Sequence, residues 1–158
     1  TEGLAYDAAQ QRLLILCKEY PGKGLKGYRA IYAFDLATEE LSEEPVILID
    51  LEAALVNIQE RPLDRMVRSW LAKLNGDISG FKPSALTIDP ISGHILVVSS
   101  VRKILLELTP DGQPVAARML PEDRFPQPES MVFSPEGHLY MANEDNGDDA
   151  TLLRFSRR

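Results

Sequence analysis

Three segments of this chain follow one order of short apolar runs and turns, and such a repeat limits the fold more than any single motif. The first runs Glu2-Gly3-Leu4-Ala5-Tyr6-Asp7, then Leu13–Cys17, then Ile31–Asp35. The second runs Ser84–Asp89, Ile95–Ser99 and Leu105–Thr109; the third runs Glu129–Ser134, Leu139–Asn143 and Leu152–Ser156. Ser84 and Glu129 stand 45 residues apart, the length of a four-stranded propeller blade. The turns repeat as well. Pro90-Ile91-Ser92-Gly93 and Pro135-Glu136-Gly137 hold one position, and Pro110-Asp111-Gly112 leads into a fourth strand at 115–120. Each supplies a glycine where a tight turn needs positive φ. In the first repeat Val46-Ile47-Leu48-Ile49 reads as the fourth strand. The expected fold is all-β: about three blades of four-stranded antiparallel sheet in one domain spanning 1–158, with repeats at 2–50, 84–127 and 129–158. A β-sandwich is the competing arrangement.

Two insertions interrupt this order. Residues 20–28 hold three glycines and two lysines, but no Gly-Lys-Ser/Thr follows and the next element is a strand, which excludes a phosphate loop. Residues 51–82 carry Leu63, Met66, Val67, Trp70, Leu71 and Leu74 at helical spacing. Pro62 suits the start of a helix and Gly76 its end. An amphipathic helix packed on the propeller rim is expected there.

Charge narrows the partners. The 158 residues hold 17 Lys and Arg against 24 Asp and Glu, a net charge of −7. The basic residues are scattered, so neither nucleic acid nor an anionic membrane surface is an expected partner. No apolar run reaches the roughly 18 residues that span a bilayer. The single cysteine, Cys17, follows Leu13-Leu14-Ile15-Leu16 and reads as a small core hydrophobe. His94 and His138 share one repeat position after the turn glycine, which marks a structural habit rather than a metal site.

The alignment also stacks polar residues. Glu2, Ser84 and Glu129 precede the first strand of each repeat, while Cys17-Lys18-Glu19, Ser99-Ser100 and Asn143-Glu144 follow the second. Carboxylates converging on an axis repel unless a cation, a proton or an amide compensates. Oxygen ligands without His or Cys suit Ca2+ rather than Zn2+. The alternative is that Glu2 and Glu129 tie neighbouring blades by accepting backbone N–H bonds. Residues 143–149 are acidic but lack the EF-hand spacing, since Arg154 stands at the twelfth position; a solvated turn is the reading.

Glu2–Asp7, Cys17-Lys18-Glu19, Ile31–Leu36, Phe81–Leu86, Leu96–Ser100, Phe125-Pro126-Gln127-Pro128-Glu129 and Asn143-Glu144 together resemble the SdiA-regulated proteins of bacteria. The resemblance covers nearly the whole chain apart from the 51–82 insertion. It implies a β-propeller related in shape to lactonase-like and NHL-type propellers, here the C-terminal portion of one with five or six blades. It also implies the cell envelope or periplasm, with an anchor in an N-terminal segment absent here. Where the family has Glu-Gly in its last repeat, this chain has Glu129-Ser130.

The function expected is a binding or scaffold module of the envelope. Glu2, Glu19, Glu129, Asn143 and Glu144 are the candidate metal ligands for Ca2+, and Ser84, Ser99 and Gln127 the candidate ligand contacts. The alternative is a metal-dependent lactonase- or esterase-like hydrolase, by analogy of fold alone. Because propellers close with roughly four to eight blades, the reading expects sequence upstream of Thr1, or open edges covered by a second copy as a homo-oligomer.

Overall fold

The computed structural model describes residues 1–19, 21–25, 28–50, 80–145, 147 and 149–157. The helix expected at 51–82 falls almost entirely outside them.

Each repeat folds into one antiparallel sheet. The first holds β1 (Gly3–Asp7), β2 (Arg12–Leu16), β3 (Arg29–Asp35), β4 (Glu40–Leu41) and β5 (Ile47–Ile49); β4 and β5 both pair with β3. The second is a regular four-stranded meander, β6 (Ala85–Ile88), β7 (Ile95–Ser99), β8 (Ile104–Leu108) and β9 (Pro114–Met119). The third holds β10 (Pro128–Phe133), β11 (Leu139–Asn143) and β12 (Thr151–Phe155). The turn glycines have the positive φ expected of them, 73° at Gly93, 87° at Gly112 and 81° at Gly137.

The sheets stack face on face, as blades do around the axis of a β-propeller. The middle sheet is packed on both sides. On one side Leu86, Val97 and Leu106 meet Leu14, Leu16 and Ile31 of the first sheet. On the other, Ala85 and Val98 meet Met131 and Met141 of the third. This two-sided burial explains why β7 reads as a continuous apolar run instead of an alternating one. β6 lies between β1 and β10, so the first strand of each sheet is its innermost. Gly3 makes the first of these contacts close: a Cβ there would stand 2.6 Å from Leu86 Cδ2 and 3.1 Å from Leu86 N. Ser130, at the same place in the third sheet, is exposed on the outer face, so its side chain crowds no described neighbour.

Candidate functional site

The strand order settles which residues share a mouth. β1 pairs with β2 so that Gly3 faces Leu16, and β10 pairs with β11 so that Pro128 faces Asn143. The residues before each first strand and after each second strand therefore lie at one end of the propeller, with Glu2, Glu19, Ser84, Ser99, Gln127, Glu129, Asn143 and Glu144 all along it. The acids among them do not form one cluster. Among the described residues no group of three or more His, Cys, Asp or Glu could hold a metal ion.

Three of the four acids have their own compensation. Glu2 pairs with Lys18 at 3.2 Å. Glu19 is ion-paired to Lys82, whose hydrogen bond and charge hold its carboxyl below the ordinary range. Glu144 accepts from Gln127 Nε2 at 2.6 Å, and the backbones of the same two residues are joined, Glu144 N to Gln127 O, at 2.9 Å. Glu129 is half-buried where the β10 register shifts between Pro128 and Ser130, and it makes no hydrogen bond or ion pair with the described residues.

The blade tie expected of Glu2 and Glu129 falls instead to a serine. Ser84 is buried and its Oγ donates to Pro128 O at 2.7 Å, joining the middle blade to the third. Ser99, also buried, accepts from Lys82 N at 3.2 Å and Arg102 N at 3.4 Å. Both hydroxyls are thus spent on the frame. Asn143 donates through Nδ2 to Arg124 O and Thr151 Oγ1, at 3.2 and 2.9 Å. Its Oδ1 is buried with no partner among the described residues, and an orphaned buried acceptor is costly.

Below this mouth β1, β6 and β10 border one open groove of about 410 Å3. Its wall is mainly apolar: Leu4, Leu86, Val132 and Phe133, with Thr87 and Ser134 as the polar exceptions. Polar residue type points to the mouth and not to this wall, whose signal in the sequence is the aligned runs Leu4-Ala5-Tyr6, Leu86-Thr87-Ile88 and Met131-Val132-Phe133. Arg29 carries no sequence signal of its role. It is buried, and donates to Phe81 O at 2.8 Å and Tyr28 O at 3.0 Å, fastening the first blade to the start of the second.

Comparison with known proteins decides the family. A model of the SdiA-regulated family matches residues 1–147. The chain belongs to the SdiA-regulated family. No curated protein matches it in sequence. Among solved structures, a nidogen/laminin complex is similar with TM-score 0.54 and 16% identity, covering 96% of this chain and 42% of the other. A luciferin-regenerating enzyme gives 0.53 and 16%, covering 97% and 43%. A calcium-binding protein, regucalcin, from Agrobacterium tumefaciens gives 0.53 and 13%, covering 94% and 39%. These likenesses establish the propeller fold, and this family member spans about two fifths of the length of each of those chains.

Proposed function

We propose that this chain is part of a propeller-type binding or scaffold module of the bacterial cell envelope, which takes a partner or ligand with an apolar portion into the groove between β1, β6 and β10. The observation that supports this is the contrast between the two parts of the surface. The groove wall is mainly apolar, and Glu2, Glu19 and Glu144 at the mouth are held by Lys18, Lys82 and Gln127. A hydrolase would need a carboxylate raised toward neutrality beside an open ligand position, whereas Glu19 is shifted the other way. A photo-crosslinking amino acid at Val132 should trap an envelope component in cells, while the same group at Glu43, remote from the groove, should not. Equal trapping at both positions, together with calcium-stimulated turnover of simple lactones or esters, would sink the binding reading in favour of the hydrolase.

One observation favours Ca2+ at the mouth. Asn143 Oδ1 is an unused buried oxygen, and the uncommitted Glu129 stands next to Pro128, its cross-strand neighbour. Ca2+ takes six to eight oxygens, so two residues supply only part of a shell. Glu2 and Glu19, already neutralised by lysines, add little to it. Because an ion bound only by the native state raises stability, Ca2+ should raise the Tm of the wild-type chain and leave Glu129→Gln unmoved. An unchanged wild-type Tm removes calcium from the account.

A further inference from the structure

The opposite end of the blades, where the first and second strands turn, holds a cavity that the mouth residues do not touch. It measures about 310 Å3 and lies between the first and second blades. Leu14, Ile88, Ile95 and Pro110 make its apolar wall, and Asp7, Asp89 and Arg12 bring charge to it.

The next blade interface shows what fills this place. Strand register makes Asp7, Asp89 and Ser134 equivalent, each closing the first strand of its sheet. It also makes Pro110 and Arg157 equivalent, each two residues past the last paired residue of the third strand. Between the second and third blades Arg157 reaches back to Asp89, where Nη1 donates to Oδ1 at 3.0 Å and Oδ2 at 2.9 Å. Its stem runs over Gly137, where a Cβ would stand 3.2 Å from Arg157 Cδ. Between the first and second blades Pro110 stands in that place and is too short to reach Asp7. The cavity is the volume left behind.

Acceptor capacity is left over too. A carboxylate offers about four lone-pair positions. Asp89 uses four, on Ile91 N, Ser92 Oγ and twice on Arg157. Asp7 is equally buried but, among the described residues, accepts only from Gln10 N at 3.2 Å and Arg12 Nε at 3.0 Å. Arg12 comes from the same blade and approaches Asp7 through Nε alone, leaving half of that capacity free. Asp89 is already met by Arg157, so the carboxylate with capacity to spare at this cavity is Asp7.

We infer that this cavity is a socket for a guanidinium group on a short apolar stem, which would dock on Asp7 as Arg157 docks on Asp89. The group comes either from a free alkylguanidinium or from an arginine side chain of another polypeptide. The site adjoins the groove proposed above, sharing Tyr6, Ile88 and Pro90 with its wall, but it rests on Asp7 and Pro110, which the groove does not include, and does not depend on that reading.

Calorimetric titration of the chain with n-butylguanidinium and with its uncharged isostere n-butylurea tests this. The guanidinium should bind saturably and at least about tenfold tighter than the urea, because hydrogen bonds to charged groups are the strong ones. Asp7→Asn should lose a similar factor. Pro110→Arg should plug the cavity, raising the Tm and abolishing binding, while Pro110→Ala should still bind. A blocked Gly-Arg-Gly peptide separates the sources. Binding well above that of butylguanidinium identifies a polypeptide arginine, and equal binding identifies a small molecule; either supports the socket. Urea as tight as guanidinium would overturn it. So would unimpaired binding by a folded Pro110→Arg variant, or no saturable binding by any of the three probes.

Discussion

Asp89 and Arg157 are 68 residues apart in sequence and joined across a blade interface, so their contact reports directly on how two blades dock. Burial opposes ionisation of Asp89. The hydrogen bonds from Ile91 N–H and the Ser92 hydroxyl and the guanidinium of Arg157 outweigh it, and the carboxyl sits below its ordinary value of 3.8. A lowered carboxyl binds fewer protons when folded than when unfolded. Its contribution is therefore complete above pH 3.8 and lost as pH falls through the lower folded value. Arg157→Ala should cost about 1 kcal/mol at neutral pH, since the guanidinium is partly exposed. The difference from wild type should shrink in urea melts below about pH 4; a difference that stays constant down to pH 2 would show that the ion pair carries none of it. Gly3 is the second residue-scale test. Its φ is not in the left-handed region, so the constraint is space alone. Gly3→Ala should destabilise by about 1–3 kcal/mol by pressing on buried Leu86, and pairing it with Leu86→Ala should recover part of the loss.

At the scale of elements, the turn between first and second strands shows what the sequence could and could not reveal. Gly93 and Gly137 were legible because Pro and Gly punctuate both repeats at one position. The first repeat has Ala8-Ala9-Gln10-Gln11 there and no glycine, yet the hairpin is kept and Gln11 takes φ 50°. A non-glycine residue pays about 1 kcal/mol for that conformation. Gln11→Gly should then gain about 0.5 kcal/mol despite the extra freedom of the unfolded glycine, and Gly93→Ala should lose about 1 kcal/mol. Thermal melts of the two variants should move in opposite directions. The blade strands were legible for the same reason as the turns: their periodicity and punctuation are local. The pairings at the mouth were not. That Lys18 neutralises Glu2 and Lys82 neutralises Glu19 depends on hairpin register and on the return of the chain after the 51–82 insertion. Residue type alone made those acids look like a cation cluster. Asp7 and Asp89 were aligned in the repeats, but their significance lies in the contrast between Pro110 and Arg157, which only blade packing displays.

At the scale of the molecule, the two end sheets differ from the middle one in having, among the described residues, a single face packed on another sheet. β2 nevertheless reads Leu13-Leu14-Ile15-Leu16, apolar on both sides, as β7 does where it is sandwiched. On the side of the first sheet away from the second, Leu4, Tyr6 and Leu41 are 63%, 53% and 55% exposed, beside half-buried Leu13, Ile15, Tyr32 and Phe34. A contiguous apolar face of this kind marks a surface suited to being covered, and inside this chain such faces pack blade on blade, so a second copy is the expected cover. The 158-residue chain by itself should therefore self-associate. Light scattering behind size exclusion should give a mass above one chain at micromolar concentration. Leu4→Lys combined with Leu41→Lys should return it to the monomer without unfolding it, because both side chains are already exposed. Lys is also the residue that natural sheets use to blunt such surfaces. A wild-type chain that stays monomeric at those concentrations would mean that the face is covered within the chain, and that the apolar character of β2 answers to a contact other than a neighbouring blade.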